Sequence, residues 1–266
     1  MCTAIVSIEP GRPTLLIGVR DELTDRSWQP PARHWPNYPA LVGGRDLLAG
    51  GTWLAVDPER RRVACVLNGR GRMAPPEHRE SRGVLPLRAA AGQSLAVAGL
   101  ARLDPFHLVS IGDGEARLQT WDGERVVERN LGPGLHMVVN SGLAADLTEP
   151  GVVAAVPDGP AGATPNGPAR EMARIGYFLR RFRSAERPAP MPGKPVPDAW
   201  ADWFPLANGD GLAPDDDRAL IVRRDLPDGR TWGTTSLSLV ALTPDWLRYD
   251  FTGSPGAAES WYPVLP

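Results

Sequence analysis

Residues Thr3 to Ile8 and Leu15 to Val19 are apolar, β-branched runs separated by Glu9-Pro10-Gly11-Arg12-Pro13, a cluster of turn formers. The pattern predicts a hairpin starting at the very beginning of the chain. Chain ends are loose unless tied down, so such a strand would hold Cys2 in place. Glu22 to Leu41 is polar, with Trp28, Pro30, Pro31, His34, Trp35, Pro36 and Pro39, and predicts an irregular segment packed by its own aromatics. Leu47 to Val56 and Val63 to Asn68, either side of Asp57-Pro58-Glu59-Arg60, predict a second hairpin. Leu85 to Leu103 is Ala/Leu-rich and broken at Gly92, which predicts two short helices.

Strands are predicted at Phe106 to Ile111, Ala116 to Trp121, Arg125 to Leu131 and Leu135 to Asn140, turning at Gly112-Asp113-Gly114 and Asp122-Gly123. The clearest helix is Pro168 to Ser184: proline suits its first position, and Met172, Ile175, Leu179 and Phe182 recur at spacings of three and four. Pro188 to Pro197 reads as a connector, Asp198 to Ala207 as a short helix and Asn208 to Asp217 as a polar loop. Strands at Ala219 to Arg223, Thr234 to Leu242 and Leu247 to Thr252 close the chain. Strands at both ends with helices between them predict two stacked sheets covered by helices, in one domain spanning residues 1–266.

Lys and Arg total 29 against 31 Asp and Glu, a net charge of -2, so charge recommends neither a nucleic acid nor an anionic membrane as partner. Lys194 is the sole lysine, a skew expected of a GC-rich, bacterial genome. Two cysteines are too few for a disulfide framework and suit a reducing cytosol. The opening Met-Cys-Thr-Ala-Ile-Val-Ser-Ile-Glu has no basic region, and no apolar run approaches the ~20 residues of a membrane span. A soluble cytoplasmic protein is expected. The four histidines, His34, His78, His107 and His136, show no metal-ligand spacing, so no metal is expected. Gly69-Arg70-Gly71-Arg72-Met73-Ala74 is followed by Pro75-Pro76 where a dinucleotide-binding helix would run, and reads instead as a basic loop beside Asn68.

Cys2 is the sharpest chemical feature. Removal of Met1 would leave a thiol and a free α-amine on one residue, with ordinary pKa values near ~8.5 and ~8, so that one accepts the other's proton. The alternative is a small apolar residue opening a strand. Arg20-Asp21-Glu22 ends the strand paired with the first; a cation there favours a thiolate and a carboxylate holds an ammonium, whereas the plain alternative is a solvated turn. Gly50-Gly51-Thr52-Trp53 permits backbone to approach a ligand closely, or is a bend before a strand with Trp53 as core.

These residues also carry a resemblance. Met1-Cys2, Arg20-Asp21-Glu22, Gly50-Gly51-Thr52-Trp53-Leu54, Leu67-Asn68 and Trp232-Gly233-Thr234-Thr235-Ser236 resemble, in order and spacing, the signatures of the NRDE family, the group containing transport and Golgi organisation protein 2. Val19 stands where the name-giving motif has asparagine, and Ala55 where glycine is common. The resemblance implies the four-layer αββα fold of N-terminal nucleophile hydrolases, similar to choloylglycine and penicillin amidases. It further implies that Cys2 attacks a small amide or peptide-like bond, that Arg20 and Asp21 set its ionisation, and that Asn68 and Asn140 donate to an oxyanion. Glu22, Gly51, Thr52, Trp53 and Arg230 are the expected substrate-facing residues.

A second implied reading is a carrier for haem or an acyl-coenzyme A-type ligand. Haem would then be cargo rather than cofactor, with His136-Met137 or Cys2 as candidate ligands. A third is a scaffold for which the aromatic segment around Trp28 and Trp35 matters and Cys2 does not.

Overall fold

The computed structural model describes residues 3–95, 99–147 and 167–265. The opening hairpin forms as expected: β1 (Thr3–Ile8) lies antiparallel to β2 (Thr14–Leu23) with Thr3 opposite Val19. The polar stretch Glu22 to Leu41 departs from expectation in holding β3 (Trp28–Ala32), and β4 (Val42–Asp46) follows it without having been foreseen. A sheet edge and a register shift between Gln29 and Ala32 let β3 carry Pro30 and Pro31, which have no N–H to give to a ladder. Trp28 packs edge-on against Trp53 and Phe251 between the sheets, not against its own segment.

The second hairpin is β5 (Leu54–Asp57) with β6 (Arg62–Asn68); its first arm is shorter than expected, because Leu47 to Trp53 turns instead of extending. Of the two helices expected next, α1 (Val84–Ala90) forms, and a 3-10 turn at Leu100–Arg102 stands in the second place. The four expected strands follow as β7 (Phe106–Gly112), β8 (Glu115–Trp121), β9 (Val126–Asn130) and β10 (Gly134–Val139). After β11 (Gly142–Leu143) and α2 (Ala144–Leu147) comes α3 (Pro168–Ser184), with the predicted bounds. The short helix expected at 198–207 is two, α4 (Val196–Trp200) and α5 (Trp203–Ala207). The strand expected at 219–223 is mostly irregular; Ala219 and Val222 bury against Trp232, and only β12 (Arg223–Asp225) pairs. The chain closes with β13 (Thr231–Leu242), β14 (Leu247–Thr252) and an unforeseen edge strand, β15 (Tyr262–Leu265).

Among the described residues these strands make two sheets. The first runs β11-β10-β1-β2-β13-β14-β15, with β12 also on β13; the second runs β3 to β9 in chain order, and every pairing is antiparallel. Strand side chains alternate between faces, and the burial follows that period. On β1, Ala4 and Val6 enter the core between the sheets with Leu16, Cys65, Val109 and Tyr249, while Ile5 joins the core under α3 to α5 with Ile17, Phe178, Phe182 and Trp203. A third core packs Leu85, Leu87 and Ala90 of α1 on the outer face of the second sheet, against Ala64, Val66 and Phe106. The layer order is therefore helix, sheet, sheet, helix: the four-layer αββα sandwich that the resemblance implies.

Polar groups also hold the outer helical layer. Arg248 and Asp250, both fully buried on β14, meet at 2.6 Å, and Trp200 of α4 donates to the same Asp250 oxygen at 2.7 Å. The Arg248 guanidinium further donates to the carbonyls of Met191 and Lys194, which ties the Gly/Pro-rich connector to the sheet. No helix among the described residues is long and apolar enough to cross a membrane.

Candidate active site

The site lies at the end of the sandwich where β1 begins. Thr3 sits between Val19 on β2 and Val139 on β10, and β2 runs on past it through Arg20, Asp21 and Glu22. Alternation sends these neighbours to opposite faces. Arg20, 3% exposed, turns between the sheets, its guanidinium stacked over Trp53 at 4.4 Å and 3.4 Å from Asp46, with Nη1 donating to Thr235 Oγ1 at 2.7 Å. Asp21, 1% exposed, turns toward α3, accepts a hydrogen bond from Thr234 Oγ1 at 2.7 Å and lies 3.6 Å from Arg174. Arg174 in turn donates to Thr3 Oγ1 at 3.1 Å and to the Ala219 carbonyl. The two charged groups thus flank the start of β1 from its two sides.

A cleft of about 440 Å³ opens on the Arg20 side, lined among others by Glu22, Asp46, Trp53, Asn68 and Arg82. Its size is that of a small-molecule site. Five further residues expected from the sequence meet Arg20 there: Glu22, Gly51, Thr52, Trp53 and Asn68. The Asn68 amide, at the end of β6, has no hydrogen-bond partner among the described residues and is open to a ligand. Thr52 Oγ1 is committed to Leu54, donating to its carbonyl and accepting from its N–H.

Gly51 makes the close approach its sequence allowed, but to the backbone of Gly83: a Cβ on Gly51 would stand 2.5 Å from the Gly83 carbonyl carbon. Gly51→Ala is expected to destabilise the fold by about 1–3 kcal/mol through overpacking, measured as a drop in urea midpoint at constant m-value. A midpoint equal to the parent's would refute that contact.

Asp46, Arg26 and Arg82 are cleft residues that the sequence reading missed. Asp46 is a hub, taking Arg26 at 2.6 Å and the N–H groups of Leu48 and Ala49. Burial opposes its charge, but the hydrogen bonds from Arg26 and Ala49 and the charges of Arg26 and Arg20 outweigh that, holding its carboxyl below the usual range. The one sequence signal for it was an Asp before a Gly-containing turn, Leu47-Leu48-Ala49-Gly50.

Asn140 lies outside the cleft lining, beside Thr3's partner Val139, and its carbonyl accepts a 3.1 Å hydrogen bond from His107 Nε2–H. Because that carbonyl only accepts, His107 Nδ1 is the acceptor for the Thr120 hydroxyl at 2.9 Å, and the ring is neutral with both nitrogens used. Burial pushes the His107 pKa down to about 4 from an ordinary 6.5. The folded state then binds fewer protons than the unfolded one between those values, so stability is full above about pH 6.5 and falls as pH drops toward 4, by about 3 kcal/mol in all. Urea unfolding at a series of pH values should show this slope, and His107→Gln should flatten it; an unchanged slope in the variant would rule out His107 as its source.

Arg230 stands apart, half-exposed in the β12–β13 turn and paired with Asp228 at 2.7 Å. His136 and Met137 do not converge as a ligand pair. They face opposite Val6 and Ile5, which enter different cores; Met137 is buried under the helices and His136 donates to the Gly132 carbonyl. Cys2 lies outside the described residues.

Residues 1–150 match the family model described as Transport and Golgi organisation 2. The chain belongs to that family. The matched span of this Transport and Golgi organisation 2 member contains β1 to β11 and every cleft residue, from Arg20 to Asp104, while Arg174 and Arg230 lie beyond it. No curated protein matches the sequence. Among solved structures the chain is similar to a Caenorhabditis elegans N-acylethanolamine-hydrolyzing acid amidase ortholog, at 12% identity over 100% of both chains with TM-score 0.45. It is also similar to penicillin V acylase from Agrobacterium tumefaciens, at 14% identity over 95% of this chain and 83% of that one with TM-score 0.49.

Proposed function

We propose that this Transport and Golgi organisation 2 family member is an amidohydrolase whose nucleophile is Cys2, acting on a small amide or peptide-like bond in the cleft between the sheets. The observation that carries the reading is the gathering, beside the start of β1, of a buried guanidinium on Arg20 and an open donor on Asn68 in one cleft of small-molecule size. Cys2 is one peptide bond from Thr3, so its reacting groups fall within reach of this end of the sandwich.

After loss of Met1, the α-amine takes the thiol proton, sulfur bonds to the amide carbon, and the carbonyl oxygen gains charge that the Asn68 amide is placed to meet. Collapse breaks the carbon–nitrogen bond, the amine leaves with the proton, and water then splits the thioester to an acid and the restored thiol. Arg20 favours the thiolate by its charge. The reading requires the Cys2 thiol on the Arg20 face of β1, opposite Thr3 Oγ1.

Intact mass before and after brief treatment with a mild, neutral thiol electrophile near pH 7 tests this. Cys65 is an internal control, fully buried with its thiol pushed up to about 12 by burial. Loss of Met1 and a single label mapped to Cys2 is the expected result. Retained Met1, or a Cys2 that labels no faster than Cys65, would defeat the reading and leave the cleft as a binding site for a carried ligand.

A further inference from the structure

Four arginines line the cleft, Arg20, Arg26, Arg79 and Arg82, together with four carboxylates, Glu22, Asp46, Glu80 and Asp104. Arg20 and Arg26 share Asp46, and Arg26 also reaches Glu22 at 3.8 Å. Asp104 meets Arg79 at 3.1 Å, and Glu80 meets Arg102 at 2.6 Å. Every cleft carboxylate therefore has a cation within 4 Å. Arg82 alone of the four arginines has no carboxylate within 4 Å among the described residues; its Nη1 donates to the Pro105 carbonyl at 2.8 Å.

A guanidinium taken partly out of water with no carboxylate in contact is costly: burial lowers the Arg82 pKa, and the more distant charges of Asp104 and Glu22, themselves engaged by Arg79 and Arg26, offset this only in part. An arginine stays protonated even so, because its ordinary pKa is too high for a shift of this kind to discharge it. The missing half of the pair is then a negative group brought by the ligand. A planar fork of N–H donors matches a carboxylate, which it can grip through two parallel hydrogen bonds.

We propose that Arg82 binds a carboxylate on the substrate, so that the amide cleaved is one bearing a free acid group, of the N-acyl amino acid class, rather than a neutral or cationic amide. This assignment rests on the amidohydrolase reading for the bond broken, but not for the group bound. Arg82 is a specificity-determining residue: among the described residues it is the cleft arginine with no carboxylate in direct contact.

The experiment compares N-acetyl- and N-benzoyl-amino acids with their neutral C-terminal amides on the full chain, as kcat/KM. In parallel, the same acids are titrated calorimetrically into the Cys2→Ala variant, where nothing is turned over. The acids should be preferred about 10- to 100-fold, the value of a charged hydrogen-bonded pair. In Arg82→Gln that ratio should fall toward 1, with the loss in KM rather than kcat, and the calorimetric signal should weaken by a similar factor. Arg82→Lys, which keeps the charge and most of the stem, should retain part of the preference and serves if the Gln variant folds poorly. Equal handling of acid and amide by the parent chain would overturn the proposal, as would an Arg82→Gln ratio equal to the parent's. A labelled, active Cys2 with no acid preference sinks Arg82's role alone; acid binding that depends on Arg82 beside an inert Cys2 sinks the hydrolase alone.

Discussion

Replacing Cys2 with alanine should lower kcat/KM for amide hydrolysis by at least about 10³-fold, the scale on which removal of a covalent nucleophile acts. The loss is large because one residue supplies two functions: the thiol that bonds to carbon and the amine that takes its proton. Cys2→Ser separates them, since it keeps the amine and nearly the same shape but offers a hydroxyl that ionises far less readily, so its activity should lie between those of parent and alanine variant. Arg20→Met acts on the same step from a distance. Without that cation the thiolate is less favoured, and the limb of the kcat/KM profile that reports thiol ionisation should move to higher pH by about one unit or more. Far-UV circular dichroism and the urea midpoint separate these effects from unfolding. An alanine variant that is folded and turns over substrate within tenfold of the parent would remove Cys2 from the mechanism.

Much of this frame was legible because the strands that build the site are short, alternating and bounded by turn formers. β1, β14 and α3 have the predicted ends, and the hairpins of β7 to β10 fall within a residue or two of theirs. β3 and β4 were hidden by composition. Two prolines sit at an edge bulge of β3, and β4 reads Val-Gly-Gly-Arg-Asp because a Cβ at Gly43 would stand 2.4 Å from the Leu54 carbonyl and one at Gly44 2.3 Å from the Trp53 ring. Close packing, not turn chemistry, put the glycines there.

The candidate site divides in the same way. Arg20, Glu22, Trp53 and Asn68 meet because each ends or borders a strand at one rim of the sandwich, which a sequence pattern can register. That Asp21 faces the helices follows from the period of two, but the Arg174 it meets is an inward-facing arginine of a helix more than 150 residues away, invisible to local patterning. Arg82 was hidden differently. His-Arg-Glu-Ser-Arg-Gly reads as a solvated charged run, and only the fold shows that Arg79 contacts Asp104 while Arg82, among the described residues, has no acid within 4 Å.

The largest expected effect on stability lies on the far side of the first sheet, in the layer that also carries Arg174. Arg248→Met should destabilise the protein by about 3–5 kcal/mol at neutral pH, because removing one member of a buried ion pair strands the other. Asp250 is fully enclosed, its Oδ1 has no hydrogen-bond partner, and its Oδ2 takes both Arg248 and Trp200. Burial already raises the Asp250 pKa against the opposing pull of Arg248. Without Arg248 the folded-state value rises further above the unfolded one, so the folded variant takes up a proton that the unfolded chain releases. Stability arising from that proton is present at low pH and lost as pH rises through the folded value, and the variant's deficit should accordingly grow from acid to neutral pH. The pair Arg248→Met with Asp250→Leu removes the stranded charge as well and should recover most of the loss, leaving the cost of the connector contacts at Met191 and Lys194. Urea unfolding of both variants at pH 5 and pH 7 decides the matter: a single variant within about 1 kcal/mol of the parent at both values would mean that packing by Trp200, Trp203 and Phe182, not the buried pair, holds the helical layer to the sheet.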